Sequence, residues 1–203
     1  ESKLVPKCII PVDLFGHLAD YDSIKKISQK YSLIILEDAA QSFGASYKNK
    51  KSCSFGDSSA TSFYPAKPYG CYGDGGAIFS NNKDFSEVCK SIRVHGQGAD
   101  KYDNVRIGLN SRLDTIQAAV LLNKLRIFDE ELILRNKVAM TYNDRLSNYI
   151  VTPNILDDYK SSWAQYSLIM DSEKDRDTII NVLNANDIPT AIFYKTPFNE
   201  NKL

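Results

Sequence analysis

Leu33-Ile34-Ile35-Leu36-Glu37-Asp38-Ala39-Ala40-Gln41 is the stretch that decides the fold. Its apolar part is too short for a helix and apolar on both faces, so it reads as a buried strand of a parallel sheet. Upstream, Cys8-Ile9-Ile10-Pro11-Val12 is a second short apolar run, closed by Asp13. Between the two runs, Asp20 to Tyr31 spaces Tyr21, Ile24, Ile27 and Tyr31 three or four residues apart, the period of an amphipathic helix. Strand, helix and strand make a β-α-β unit. In open α/β sheets ligands sit outside the carboxyl ends of the strands, and Asp38 stands at such an end.

Further along, Ser59 to Phe63 and Ala77 to Ser80 are expected strands, and Tyr47 to Ser52 an expected turn. The two strands enclose a loop in which Lys67 stands between the hydroxyl-bearing Thr61, Ser62 and Tyr64 and the glycines Gly70, Gly73, Gly75 and Gly76. The glycines permit tight backbone turns. Taken singly, such a lysine is usually a solvated loop residue, and a strand ending in Glu-Asp usually marks the water boundary. The combination says more. A lysine for covalent attachment and an acid facing the ring nitrogen are what pyridoxal phosphate requires, and Lys67 and Asp38 offer that pair.

Phe85, Val88, Cys89 and Ile92 share one face of a helix expected to look into the core and to end at His95-Gly96. Ser111-Arg112-Leu113-Asp114 resembles a helix start, and Leu113, Ile116, Val120, Leu121, Leu125 and Phe128 continue a helical spacing toward Met140. One long helix bridging two domains is expected there. From about Tyr149 the texture changes to a Pro/Asn/Asp/Ser-rich stretch, then an expected strand at Ala164 to Met170, a helix around Arg176 to Leu183 and a strand at Thr190 to Tyr194. The expected division is therefore residues 1–148 and a small α/β unit at 149–203.

The chain has 203 residues, 25 basic and 25 acidic side chains, and ordinary globular apolar and aromatic fractions. A net charge of zero gives no whole-chain electrostatic footprint for nucleic acid or an anionic membrane, so neither is expected as a partner. No apolar stretch approaches the roughly 18 residues that span a bilayer. Cys8, Cys53, Cys71 and Cys89 show no C-x-x-C spacing, and with only His17 and His95 no neighbouring Cys/His zinc pattern can be assembled. Reduced thiols in a cytoplasmic protein, with no metal, are expected. Gly73-x-Gly75-Gly76 precedes a strand instead of joining a strand to a helix, which argues against a dinucleotide turn.

Residues 12–45, 56–77 and 93–117 carry Val-Asp-Leu-Phe-Gly, Glu-Asp-Ala-Ala-Gln, Ser-Phe-Tyr-Pro-Ala-Lys, Arg-Val-His-Gly and Gly-Leu-Asn-Ser-Arg-Leu-Asp. In these motifs and their order the chain resembles the DegT/DnrJ/EryC1/StrS family of nucleotide-sugar aminotransferases. The resemblance implies the large domain of a fold-type I pyridoxal-phosphate-dependent transferase: a mixed, mostly parallel α/β sheet with flanking helices, plus part of a small α/β C-terminal domain. It implies that Lys67 binds the cofactor covalently and moves the substrate proton. Members with histidine at that position are dehydratases, so lysine argues for transamination from an amino-acid donor, commonly glutamate. Asp38 is implied to face the pyridine nitrogen, Gln41 the ring or its phenolic oxygen, and Ser62 the phosphate.

Asn110 and Arg112 match a motif that in the resembled family reaches across a homodimer interface, Asn110 to the partner's cofactor phosphate and Arg112 to a substrate carboxylate. Tyr194 aligns with a tyrosine near the sugar nucleotide, although Phe193 and Lys195 stand where His and Pro are frequent. His17 and His95 read as structural. The run Thr61 to Asp74 with Cys71-Tyr72 resembles, within the family, transaminases acting on the 3-keto group of a UDP-linked 2-acetamido uronic acid. The family places the lysine near the middle of a chain almost twice as long, so the chain is expected to be a fragment, without the family's Gly-Ser/Cys-Gly-Thr phosphate turn. An inert truncated product and a non-covalent nucleotide-binding module are the alternative readings.

Overall fold

A computed structural model describes residues 4–196 and 198–200. The β-α-β unit is present: β1 (Cys8–Ile9), α1 (Tyr21–Tyr31) and β2 (Ile34–Asp38), with β1 and β2 parallel. The Asp20 side chain accepts from the Ser23 amide and caps α1, which ends at Ser32 in the left-handed region. A hairpin follows, β3 (Ser46–Tyr47) and β4 (Lys50–Lys51). Its two linking residues, Lys48 and Asn49, have φ of 46° and 62°, as a primed turn requires. Next come β5 (Ser58–Ser62) and β6 (Gly76–Phe79), α2 (Lys83–Ile92), α3 (Thr115–Leu125), α4 (Phe128–Leu146), β7 (Tyr159–Lys160) and α5 (Glu173–Asn184).

The main sheet has the order β1-β2-β5-β6, parallel up to β5 and antiparallel at β6. Alternation along β2 sends Ile35 and Glu37 to one face, where both are buried. Ile35 joins Leu18, Tyr21, Ala45, Tyr47 and Phe55 in one core cluster, with Tyr21 stacked on Phe55 at 4.6 Å. A second cluster unites Phe63, Tyr69 and Cys71 of the Lys67 loop with Leu121 of α3 and Phe128 of α4. The other face of the sheet is half open: Asp38, Ala60 and Ile78 are register partners across three strands, and Ile78 is 58% exposed.

Several expectations need correction. The long helix is two. Ile127 has φ −112° and ψ −2°, and the break between α3 and α4 lets Phe128 turn into the core, where it is 4% exposed. The start box is not used either: Asp114 is the N-cap and makes no side-chain cap bond. α2 has no fully buried residue, and Phe85 and Val88 are 38% and 39% exposed, so its apolar face is only half covered. Ala164 to Met170 and Thr190 to Tyr194 form no regular strand beyond a bridge from Ile169 to Val151. Tyr159 and Lys160 do form one, pairing with Tyr47 and Ser46. Tyr159 stacks on Tyr47 at 4.2 Å, which explains why so short a strand holds.

Candidate active site

The parallel arrangement of β2 and β5 brings their carboxyl ends to one edge of the sheet. Asp38 ends β2, half-buried, opposite Ala60. Ser62, two residues beyond Ala60 on the same strand face, ends β5 and is also half-buried. The loop carrying Lys67 leaves from that point. Asp38 and Ser62 therefore stand at one edge of the sheet, and Lys67 lies on the loop that follows β5.

The loop is shaped by backbone bonds. Phe63 N donates to Gly75 O at 2.8 Å, Cys71 N to Phe63 O at 2.7 Å and Lys67 N to Tyr64 O at 2.9 Å. The buried Cys71 thiol adds contacts to the carbonyls of Phe63 and Gly73 at 3.0 and 3.1 Å. Gly70 is required: a Cβ there would stand 2.5 Å from Tyr64 O. Lys67 itself is half-buried, and among the described residues its amine has no hydrogen-bond or ion-pair partner.

Asp38 accepts from the Ala40 amide through Oδ1 at 3.1 Å, which leaves its second oxygen for a ligand. Gln41 is half-buried, and its Oε1 accepts from Phe15 N at 2.5 Å. The Ser62 hydroxyl accepts from Tyr64 N at 3.2 Å. A carboxylate, an amide, a hydroxyl and a primary amine at one sheet edge fit the ring nitrogen, phenolic oxygen, phosphate and aldehyde carbon of pyridoxal phosphate.

Asn110 and Arg112 lie elsewhere. Both are exposed and bonded to each other, Arg112 Nη2 to Asn110 Oδ1 at 3.3 Å. Tyr194 is 62% exposed. Its neighbour Phe193 packs edge-on against Phe15 at 6.3 Å, which brings this segment toward the Gln41 turn. His17 packs edge-on against Trp163 at 5.3 Å, and burial lowers its pKa. His95 is exposed with φ 60° and lies in a turn past α2, which ends at Ile92 and not at His95-Gly96 as expected. Two clefts, of about 430 and 320 Å³, open against Phe15, His17 and Ile155 and against Arg135, Trp163 and Tyr166. Neither is lined by Lys67 or Asp38.

Three acidic residues do work that sequence reading did not assign. Glu37, fully buried, accepts from the amides of Cys53, Phe55 and Gly56 at 2.6, 2.8 and 3.3 Å. Asp57 accepts from Ile35 N at 2.8 Å. Asp13, also fully buried, accepts from Ala19 N, Tyr21 Oη and Ser42 Oγ at 3.0, 2.9 and 2.7 Å. Burial pushes its pKa up to about 6 against these three donors. Its position directly after the β1 run was the one available signal. Among the described residues no group of His, Cys, Asp and Glu could hold a metal ion, and no helix is long and apolar enough to cross a membrane.

An open-edged, mostly parallel α/β sheet with a lysine loop and an acid at adjacent strand ends is the class of fold expected from the sequence. Residues 2–203 match the model of the DegT/DnrJ/EryC1/StrS aminotransferase family, and the chain belongs to that family. It is similar to the UDP-2-acetamido-2-deoxy-3-oxo-D-glucuronate aminotransferase of Pseudomonas aeruginosa, at 48% identity over 203 residues, covering 98% of this chain and 55% of that protein. Among solved structures it superposes on a DegT DnrJ EryC1 StrS aminotransferase from Brucella abortus with a TM-score of 0.92 at 48% identity, covering 97% and 52% of the two chains. Against S. venezuelae DesV, solved in complex with a ketimine intermediate, the TM-score is 0.90 at 33% identity, covering 96% and 52%. The chain thus spans about half the length of the relatives it matches.

Proposed function

We propose that this chain forms the cofactor-binding part of a pyridoxal-phosphate-dependent aminotransferase that moves an amino group from an amino acid, glutamate, to a keto group of a nucleotide-linked sugar. The observation that carries this reading is the placement of Lys67 and Asp38 at one sheet edge in a chain of this family. The bound cofactor would supply an electron sink conjugated to the substrate nitrogen. Lys67 would hold it covalently, then as a neutral amine accept the donor's α proton and return it. Asp38 favours a protonated ring nitrogen through its free oxygen. Ser62 is assigned to the phosphate and Gln41 to the phenolic oxygen.

The 48% identity to the Pseudomonas aeruginosa protein supports a UDP-linked 2-acetamido-3-oxo uronic acid as the substrate, in the making of surface polysaccharide precursors. Arg112 is assigned to its carboxylate and Tyr194 to the nucleotide-sugar side. The exposed Asn110–Arg112 pair suits a face that completes a neighbour's site, so a homodimer belongs to the proposal. Residues 1–148 are proposed as the large-domain portion and 149–203 as part of the small domain. Four free cysteines fit the reducing cytoplasm.

The test is reduction with borohydride after incubation with pyridoxal phosphate. The cofactor's mass is expected on the peptide containing Lys67 and absent from the Lys67→Ala chain. Label on another lysine overturns the assignment.

A further inference from the structure

We infer that Asp13 is a positioning residue for the site: its buried carboxylate fixes the turn that presents Asp38 and Gln41. The inference rests on the reading above, in which that turn meets the cofactor ring.

Residue 13 grips the turn at both ends. At the near end, Asp13 N donates to Asp38 O at 3.1 Å, while Asp38 N donates to Pro11 O at 2.9 Å. At the far end, Ser42 Oγ donates to Asp13 Oδ2 at 2.7 Å. Asp13 Oδ1 is meanwhile engaged by Tyr21 Oη and Ala19 N, which anchors the carboxylate to the start of α1. Asp13, Ser42 and Tyr21 are all 0% exposed, so these bonds are shielded from water and each lost partner leaves a buried group unpaired.

The same residue opens the turn that orients Gln41. Leu14–Gly16 form a short 3-10 turn in which Phe15 takes φ 61°. Phe15 N points at Gln41 Oε1, and Ser162 Oγ holds Gln41 O at 2.8 Å. A backbone N–H only donates, so it dictates that the amide oxygen faces inward and that the NH2 group is left to donate outward. An outward donor suits an anionic phenolic oxygen. Asp13 thus holds the Ser42 end of the turn with its carboxylate, its backbone pairs with Asp38 at the other end, and the adjacent turn sets which end of Gln41 a ligand meets.

Two variants break the Asp13–Ser42 link from opposite sides. Ser42→Ala removes the donor and leaves the carboxylate; Asp13→Ala removes the acceptor. The first readout needs no cofactor: hydrogen exchange of the amides of residues 39–43 in the complete polypeptide is expected to speed up about tenfold in both variants, with β5 amides unchanged. The second is the dissociation constant of pyridoxal phosphate, read by absorbance, expected to rise about tenfold, with Ser42→Thr restoring both. Wild-type exchange and affinity in both variants, alongside weakened binding in Asp38→Asn, overturns the inference. Failure of the underlying reading shows separately, as equal affinity in wild type and Asp38→Asn.

Discussion

The hydroxyl of Tyr69 donates to the carbonyl of Leu121 at 2.6 Å, and this bond ties the Lys67 loop to the flank of α3. Two more bonds act in parallel: Lys124 Nζ to Gly70 O at 2.7 Å and Tyr72 N to Gln117 Oε1 at 2.8 Å. α3 starts at Thr115, three residues after Arg112. The lysine loop and the exposed Asn110–Arg112 segment are therefore fastened to one helix. Tyr69→Phe is expected to lower unfolding stability by about 1 kcal/mol, measured by urea titration; an unchanged midpoint would show that the bond adds nothing.

Glu37 offers a larger effect. Glu37→Ala strands three amides around a fully buried site, with an expected loss of roughly 3 kcal/mol or more. Glu37→Gln, which keeps one acceptor oxygen, is expected to lose less. The same titration checks the order of the three proteins.

Asp13 makes stability depend on pH in an unusual direction for a carboxylate. Its pKa is raised from 3.8 to about 6 by burial, so between those values the native chain binds more protons than the unfolded one. Stability from this group is full below about pH 4 and is lost as pH rises through about 6, by about 3 kcal/mol at most. Compared with Asp13→Asn, wild type is expected to weaken steadily from pH 4 to pH 7 in parallel unfolding curves. A constant difference across that range contradicts the shift.

The proposed dimer predicts complementation. A Lys67→Ala chain mixed with an Asn110→Ala chain is expected to regain part of the activity that each lacks, since one composite site per mixed dimer keeps both residues. Subunit exchange without recovery in a coupled transamination assay would place Asn110 in its own chain's site.

The β-α-β unit was legible because each signal was local: the period of α1, the cap Asp20 and the apolar runs on either side. The strand ends that carry Asp38 and Ser62, and the loop that carries Lys67, were legible from apolar runs and glycines. The break at Ile127 was not legible, since Leu121, Leu125 and Phe128 keep a helical spacing straight through it, and the burial of Phe128 depends on tertiary partners such as Phe63 and Tyr69. β7 was hidden because its two residues depend on a partner strand at Ser46–Tyr47, far back in the chain. Asp13 was hidden for a like reason, with Ser42 brought to it only by the parallel pairing of β1 and β2.

The bond from Cys71 N to Phe63 O closes Tyr64–Gly70 into a small ring within the larger β5–β6 connection, and Lys67 sits on that ring. So short a closed loop has little conformational freedom left to lose when a ligand arrives. Any swing of the amine must then come from torsions of the lysine's own four-carbon stem, with the backbone acting as a fixed pivot.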